Sequence, residues 1–133
     1  MQMGIDVILG GGGDVFSFRY GNQSSPLETA RSKGYQIVET RQQLLAASKT
    51  PLLGLFSNRS LPYRIDLPRN SSVPSLSEMA ASALKLLIQA DNMGKGVLLF
   101  VEGSEIDLAG HDNDAATQVR ESWEYDDAFE TGL

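Results

Sequence analysis

Glu102, Asp107 and His111 lie close together in the stretch VEGSEIDLAGHDND, and His111 is the only histidine of the 133-residue chain. Asp107 and His111 are four apart, so if Asp107 to His111 form one helical turn, both side chains point to the same side. A carboxylate oxygen and an imidazole nitrogen on one face can grip a divalent transition ion such as Zn²⁺. Glu102, a second oxygen donor just upstream, suits a harder ion such as Mg²⁺. The same residue types also build helix ends. Asp112, Asn113 and Asp114 are good N-caps, Gly103 and Gly110 are turn residues, and carboxylates favour a helix N-terminus. Spacing alone leaves both readings open.

The elements that would position these residues follow from local signals. Ile5 to Leu9 is apolar and β-branched, as a strand requires, and it runs into Gly10 to Gly13. Pro26 stands at a helix N1 position, and LETARSKG reads as a helix ended by Gly34. YQIVET is a strand whose Thr40 is placed to cap the helix RQQLLAAS, and LLGLFS after Pro51 is a further strand. Asn58 to Pro74 is a proline-rich loop, long enough to imply a functional or packing role. Ser75 and Glu78 form a capping box at the head of SLSEMAASALKLLIQADNMG, whose apolar positions keep helical spacing. GVLLFVEG is predicted as the next strand, with Glu102 at its end, followed by the acidic loop and a helix from about Asn113 through Phe129.

Strands that alternate with helices imply an α/β fold, with a mostly parallel sheet covered by helices on both faces and forming one domain over residues 1–133. In such a sheet, ligands collect at the carboxyl ends of the strands, which is where Glu102, Asp107 and His111 fall. GGGGD is the other stretch that suggests chemistry. A dinucleotide fingerprint would need glycine where Val15 or Phe16 stands, and the Gly-Lys-Ser/Thr ending of a P-loop is absent. The run therefore reads as a strand end that bends sharply, with glycine where φ must be positive.

Composition narrows the partners. The formal net charge is −6, which argues against nucleic acid or an anionic membrane surface as a partner. No apolar run approaches the roughly 20 residues that span a bilayer, and no signal-peptide pattern opens the chain. With no cysteine, the chain has neither thiolate ligands nor a cysteine nucleophile.

The order of motifs resembles the alkaline phosphatase family. VEGSEIDLAGHDND looks like that family's metal-ligand segment, which runs Val-Glu-Gly, Ile-Asp, Gly-His and Asn-Asp. DVILGGGGDVF, GYQIVETRQQL, LLGLFS, LPYRIDLPRN, PSLSEMAASALKLL and ESWEYDDAF are similar to family segments in the same order, so the likeness extends over nearly the whole chain. The resemblance implies a truncated portion of the family's three-layer fold and a central segment of a phosphomonoesterase. In that family two zinc ions and a magnesium surround a serine nucleophile, and a phosphoserine intermediate forms and is hydrolysed. Glu102 then corresponds to a magnesium ligand, and Asp107 and His111 to two ligands of one zinc. Phosphate monoesters are the implied substrates, and a periplasmic or secreted location is implied as well.

The departures from the pattern are as informative. The family serine follows an aspartate, and no Asp-Ser dipeptide occurs in this chain; nor do the further histidines of the family site. Two protein ligands hold zinc poorly, since structural sites use four and catalytic ones three. The expectation is a segment with part of a metal site, no catalytic nucleophile of its own, and no activity alone. The alternative is a stand-alone, non-catalytic binding or interaction domain derived from the family. About four strands are expected, fewer than the family sheet holds, and the uncovered edge predicts self-association as a dimer.

Overall fold

Four helices of this computed structural model, which describes residues 4–131, begin where a side chain caps them. Ser25 and Glu28 form a reciprocal capping box at α2 (Pro26–Ser32), with Pro26 in the first turn. The Thr40 hydroxyl accepts from the Gln43 amide at the head of α3 (Arg41–Ala46). Ser75 and Glu78 repeat the capping box at α4 (Leu76–Ala90). Glu78 also accepts from Arg41 Nε at 2.8 and 2.9 Å, which ties α4 to the start of α3. Asp114 caps α6 (Ala115–Thr131), accepting from the Thr117 amide at 3.1 Å and from its hydroxyl at 2.6 Å. Each of these caps satisfies backbone donors that a helix start leaves orphaned.

Three strands form a fully parallel sheet in the order β1-β3-β2: β1 (Val7–Gly10), β2 (Gln36–Val38) and β3 (Leu52–Leu55). Val7 and Gln36 both lie level with Leu52, so β3 is central. On one face, Val7, Leu9, Val38 and Leu52 pack with Leu44 of α3 and with Met79 and Leu86 of α4 to make the core. On the other face, Ile8 and Leu53 line a hollow shared with Pro26, Thr29 and Ala30 of α2. Helices thus cover both faces, as the alternation of elements predicts. Gly54 has no room for a side chain, because a Cβ there would stand 2.6 Å from the Phe56 ring and 2.7 Å from Leu9.

The glycine run bends as expected and is not a phosphate cradle. Gly12 has φ +90° and caps the short helix α1 (Gly13–Ser17). The amides of Gly12, Gly13 and Asp14 donate to the carbonyls of Arg59, Ser57 and Asn58 at 2.7, 2.9 and 2.9 Å. Those N–H groups are spent on the loop after β3. A Cβ on Gly11 would overlap the Arg59 carbonyl oxygen and push this loop away. Gly11→Ala is therefore expected to cost about 1–3 kcal/mol, as overpacking does, read as a lower urea midpoint.

One predicted strand does not form. Residues 97–103 join no strand, so the described residues hold three strands rather than about four, and Glu102 ends no strand. A strand needs a neighbour for its backbone groups, and β1, the nearest edge, stands across a cleft lined by Val7 and Leu9 on one side and Leu99 to Glu102 on the other. The remaining helix, α5 (Ser104–His111), follows directly and packs on α6.

Candidate metal centre

Ser104 to His111 fold into a helix, so Asp107 and His111 fall on one face of α5 as their spacing predicts. Asp107 Oδ2 and His111 Nε2 are 3.3 Å apart, and both side chains are largely exposed. Two ligands each about 2.0–2.1 Å from a tetrahedral zinc stand about 3.3 Å apart, so the pair fits neighbouring positions around such an ion. Glu102 lies at the foot of the helix and lines the same cleft as Asp107 and Asp14. The three residues do not close into one cluster. Among the described residues no group of three or more His, Asp or Glu side chains is close enough to hold a metal ion.

The acidic residues around this site divide by what they bind. Asp112 caps the end of α5 and accepts from the Tyr63 hydroxyl at 2.8 Å. That carboxylate pushes the Tyr63 pKa up to about 12, so the hydroxyl keeps its proton far into the alkaline range. Asp114 caps α6. Glu121 of α6 accepts from the Arg64 amide at 2.6 Å, and Glu124 accepts from the Leu76 amide at 2.8 Å. Glu105 of α5 is buried, and burial followed by the Glu121 charge pushes its carboxyl up, while the Leu61 amide beside it pulls it down. These five carboxylates hold the scaffold. Within the described residues, Glu102 makes no side-chain hydrogen bond, and Asp107 and His111 meet each other but no scaffold group.

Sequence reasoning found the three candidate ligands and missed the brace beneath them. Tyr63 and Arg64 reach Asp112 and Glu121, partners 49 and 57 residues away, which no local pattern marks. Tyr63 lies within LPYRIDLPRN, one of the segments that carry the family resemblance.

The alkaline phosphatase family model matches residues 1–133. The chain belongs to the alkaline phosphatase family. A repressible alkaline phosphatase of Saccharomyces cerevisiae is 36% identical over 95% of this chain and 26% of its own length. A cold-active alkaline phosphatase from the psychrophile Shewanella sp. superposes with a TM-score of 0.79 at 37% identity, over 95% of this chain and 29% of that one. The Thermus thermophilus alkaline phosphatase gives a TM-score of 0.81 at 33% identity, over 96% of this chain and 27% of that one. The α/β fold is thus that of an alkaline phosphatase segment, and the chain spans about a quarter of the length of the curated relatives it matches.

Proposed function

We propose that this chain is a segment of a metal-dependent alkaline phosphatase that hydrolyses phosphate monoesters through a phosphoserine intermediate. In this reading it contributes part of the metal-ligand set and no nucleophile, and it is inactive alone. The observation that carries the proposal is the division of acidic side chains. The residues that match the family's ligands, Glu102, Asp107 and His111, are among the side chains that bond no scaffold group.

Glu102 would present an oxygen to Mg²⁺; Asp107, through its carboxylate, and His111, through neutral Nε2, would hold Zn²⁺. Both zinc ligands must be deprotonated, so binding strengthens as pH rises out of the acid range. When bound, such ions neutralise phosphoryl charge and lower the pKa of water. The chain's own part is to hold these donors on a helix buried at Glu105 and bonded to Tyr63 at Asp112. A helix so fixed keeps its donors in place without the ion.

The test is hydrolysis of a phosphate monoester with Zn²⁺ and Mg²⁺ added. No turnover above blank is expected; turnover abolished by a chelator would sink the claim of inactivity. The alternative, a stand-alone binding domain, draws support from the ready-made spacing of Asp107 and His111. Submicromolar zinc binding by calorimetry, lost in His111→Ala, would favour it.

Self-association as a dimer belongs to the same reading. Val119, Trp123 and Phe129 of α6 remain 48%, 56% and 63% exposed, an apolar outer surface that a second copy would cover. A light-scattering mass above the monomer is expected; a monomer mass at all concentrations would count against it. We place the parent protein in the periplasm or outside the cell, on the strength of the family. No helix among the described residues is long and apolar enough to cross a membrane, and the net charge of −6 disfavours nucleic acid.

A further inference from the structure

We propose that Tyr63 is a positioning residue for His111: by bonding Asp112 it fixes the end of α5 that carries the imidazole, and so sets how that ring meets a divalent cation. The inference rests on the metal reading of Asp107 and His111.

His111 stands at a weak place in the fold. α5 is eight residues long, about two turns, and His111 is its last residue. The final turn of a helix carries carbonyls without intrahelical partners, and it is where helices fray. A ligand placed there needs support from elsewhere, because a tetrahedral ion tolerates little drift of its donors.

Part of that support is local. Asn113 adopts the left-handed conformation, with φ 57°, and its amide donates to the Gly110 carbonyl at 3.1 Å. The Asp114 amide donates to the Ala109 carbonyl at 3.0 Å, which completes a Schellman-type closure of α5. These bonds lie within the turn between α5 and α6, so they fix its shape and not its place relative to the sheet.

Tyr63 supplies the outside tie. Its hydroxyl donates to Asp112 Oδ2 at 2.8 Å, one residue beyond His111. Among the described residues this is the one side-chain hydrogen bond that reaches residues 107–114 from outside the two helices and their turn. The loop that carries Tyr63 is itself anchored twice. Upstream, the carbonyls of Ser57, Asn58 and Arg59 accept from the glycine turn after β1. Downstream, the Arg64 amide donates to Glu121 at 2.6 Å, and the Arg64 guanidinium lies 3.6 Å from Glu124. One loop therefore relates the carboxyl end of the sheet to the end of α5, which gives the proline-rich stretch after β3 the role that its length implies.

The bond serves orientation more than stability. Asp112 is exposed and Tyr63 half-buried, so loss of the hydroxyl leaves no buried group unpaired.

Titration of the chain with zinc chloride, followed by NMR at the His111 imidazole, tests this. Tyr63→Phe keeps the ring and removes the donor. It is expected to weaken zinc binding about tenfold, the low end of the range for losing an outer-shell partner. In an Asp112→Ala background the same change should have no effect, since the bond is already gone. Tyr35→Phe is the control. That hydroxyl donates to the Ile5 carbonyl at the amino end of the sheet, so its loss should leave zinc affinity unchanged. Equal zinc affinity in the wild-type chain and Tyr63→Phe would overturn the proposal and leave the metal reading standing. An undiminished effect of Tyr63→Phe in the Asp112→Ala background, or an equal loss in Tyr35→Phe, would overturn it by making the effect one of general stability. No zinc-dependent shift at His111 in the wild-type chain would remove the metal reading and this proposal with it.

Discussion

Leu52→Ala is expected to cost about 2–5 kcal/mol of folding free energy, the range for removing a large aliphatic side chain from a close-packed core. Leu52 is 0% exposed and lies on the central strand, bonded on both sides. It packs with Val38, Leu44, Met79 and Leu86, which come from a neighbouring strand and two helices, so they cannot collapse into the vacated space as a unit. Domains of this size are stable by only about 5–15 kcal/mol, so the loss is a large fraction of the whole. Urea unfolding should show a lower midpoint with an unchanged slope. Leu98→Ala is the comparison: that side chain is 76% exposed, and its removal should change stability by less than about 0.5 kcal/mol. Equal losses at the two positions would mean that the core is not where the structure puts it.

Glu121→Gln is expected to stabilise the protein near neutral pH and to flatten the dependence of its stability on pH. Glu121 is 7% exposed, and burial pushes its carboxyl above the usual range. The Arg64 amide opposes that shift, and the Glu124 charge adds to it. Glu105, raised by burial and by Glu121 itself, moves the same way. A carboxyl with a raised pKa binds protons more tightly in the folded state than in the unfolded one. Its stabilising contribution is therefore complete below the ordinary glutamate range and is lost as pH rises through the raised folded value. Glu78 has the opposite sign. Its hydrogen bonds from Arg41 hold its carboxyl low, so its contribution is present above the usual range and is lost as pH falls.

Glutamine keeps an oxygen for the Arg64 amide and removes the buried charge. Alanine removes both, and leaving that amide unpaired should cost about 1–3 kcal/mol. Thermal unfolding of the three proteins between about pH 4 and pH 8, where such carboxyls titrate, separates the effects. Identical pH profiles for Glu121 and its glutamine variant would show that the buried charge carries no penalty.

What the sequence disclosed was local. Thr40, Ser75 with Glu78, and Pro26 act within a turn of their own positions, and each helix starts where they said. Ser25 with Glu28 carried the same signal. Asp107 and His111 were legible for the same reason, since helical spacing alone brings them together. The strand after Gly96 was misjudged because apolar content makes a segment able to pair but cannot provide the neighbour. The bonds of Tyr63 and Arg64 to Asp112 and Glu121 stayed hidden because they join residues far apart in the chain, which no local spacing marks. The family resemblance reached further than either, through the order of motifs along the chain.

The strand order has a kinetic consequence. Among the described residues β3 is the last strand and the one neighbour of the other two, so neither β1 nor β2 pairs until residues 52–55 come between them. Every sheet contact is then a closure across a long loop, and such non-local topologies fold slowly. The three-stranded sheet then forms in the one event that brings Leu52 between Val7 and Gln36.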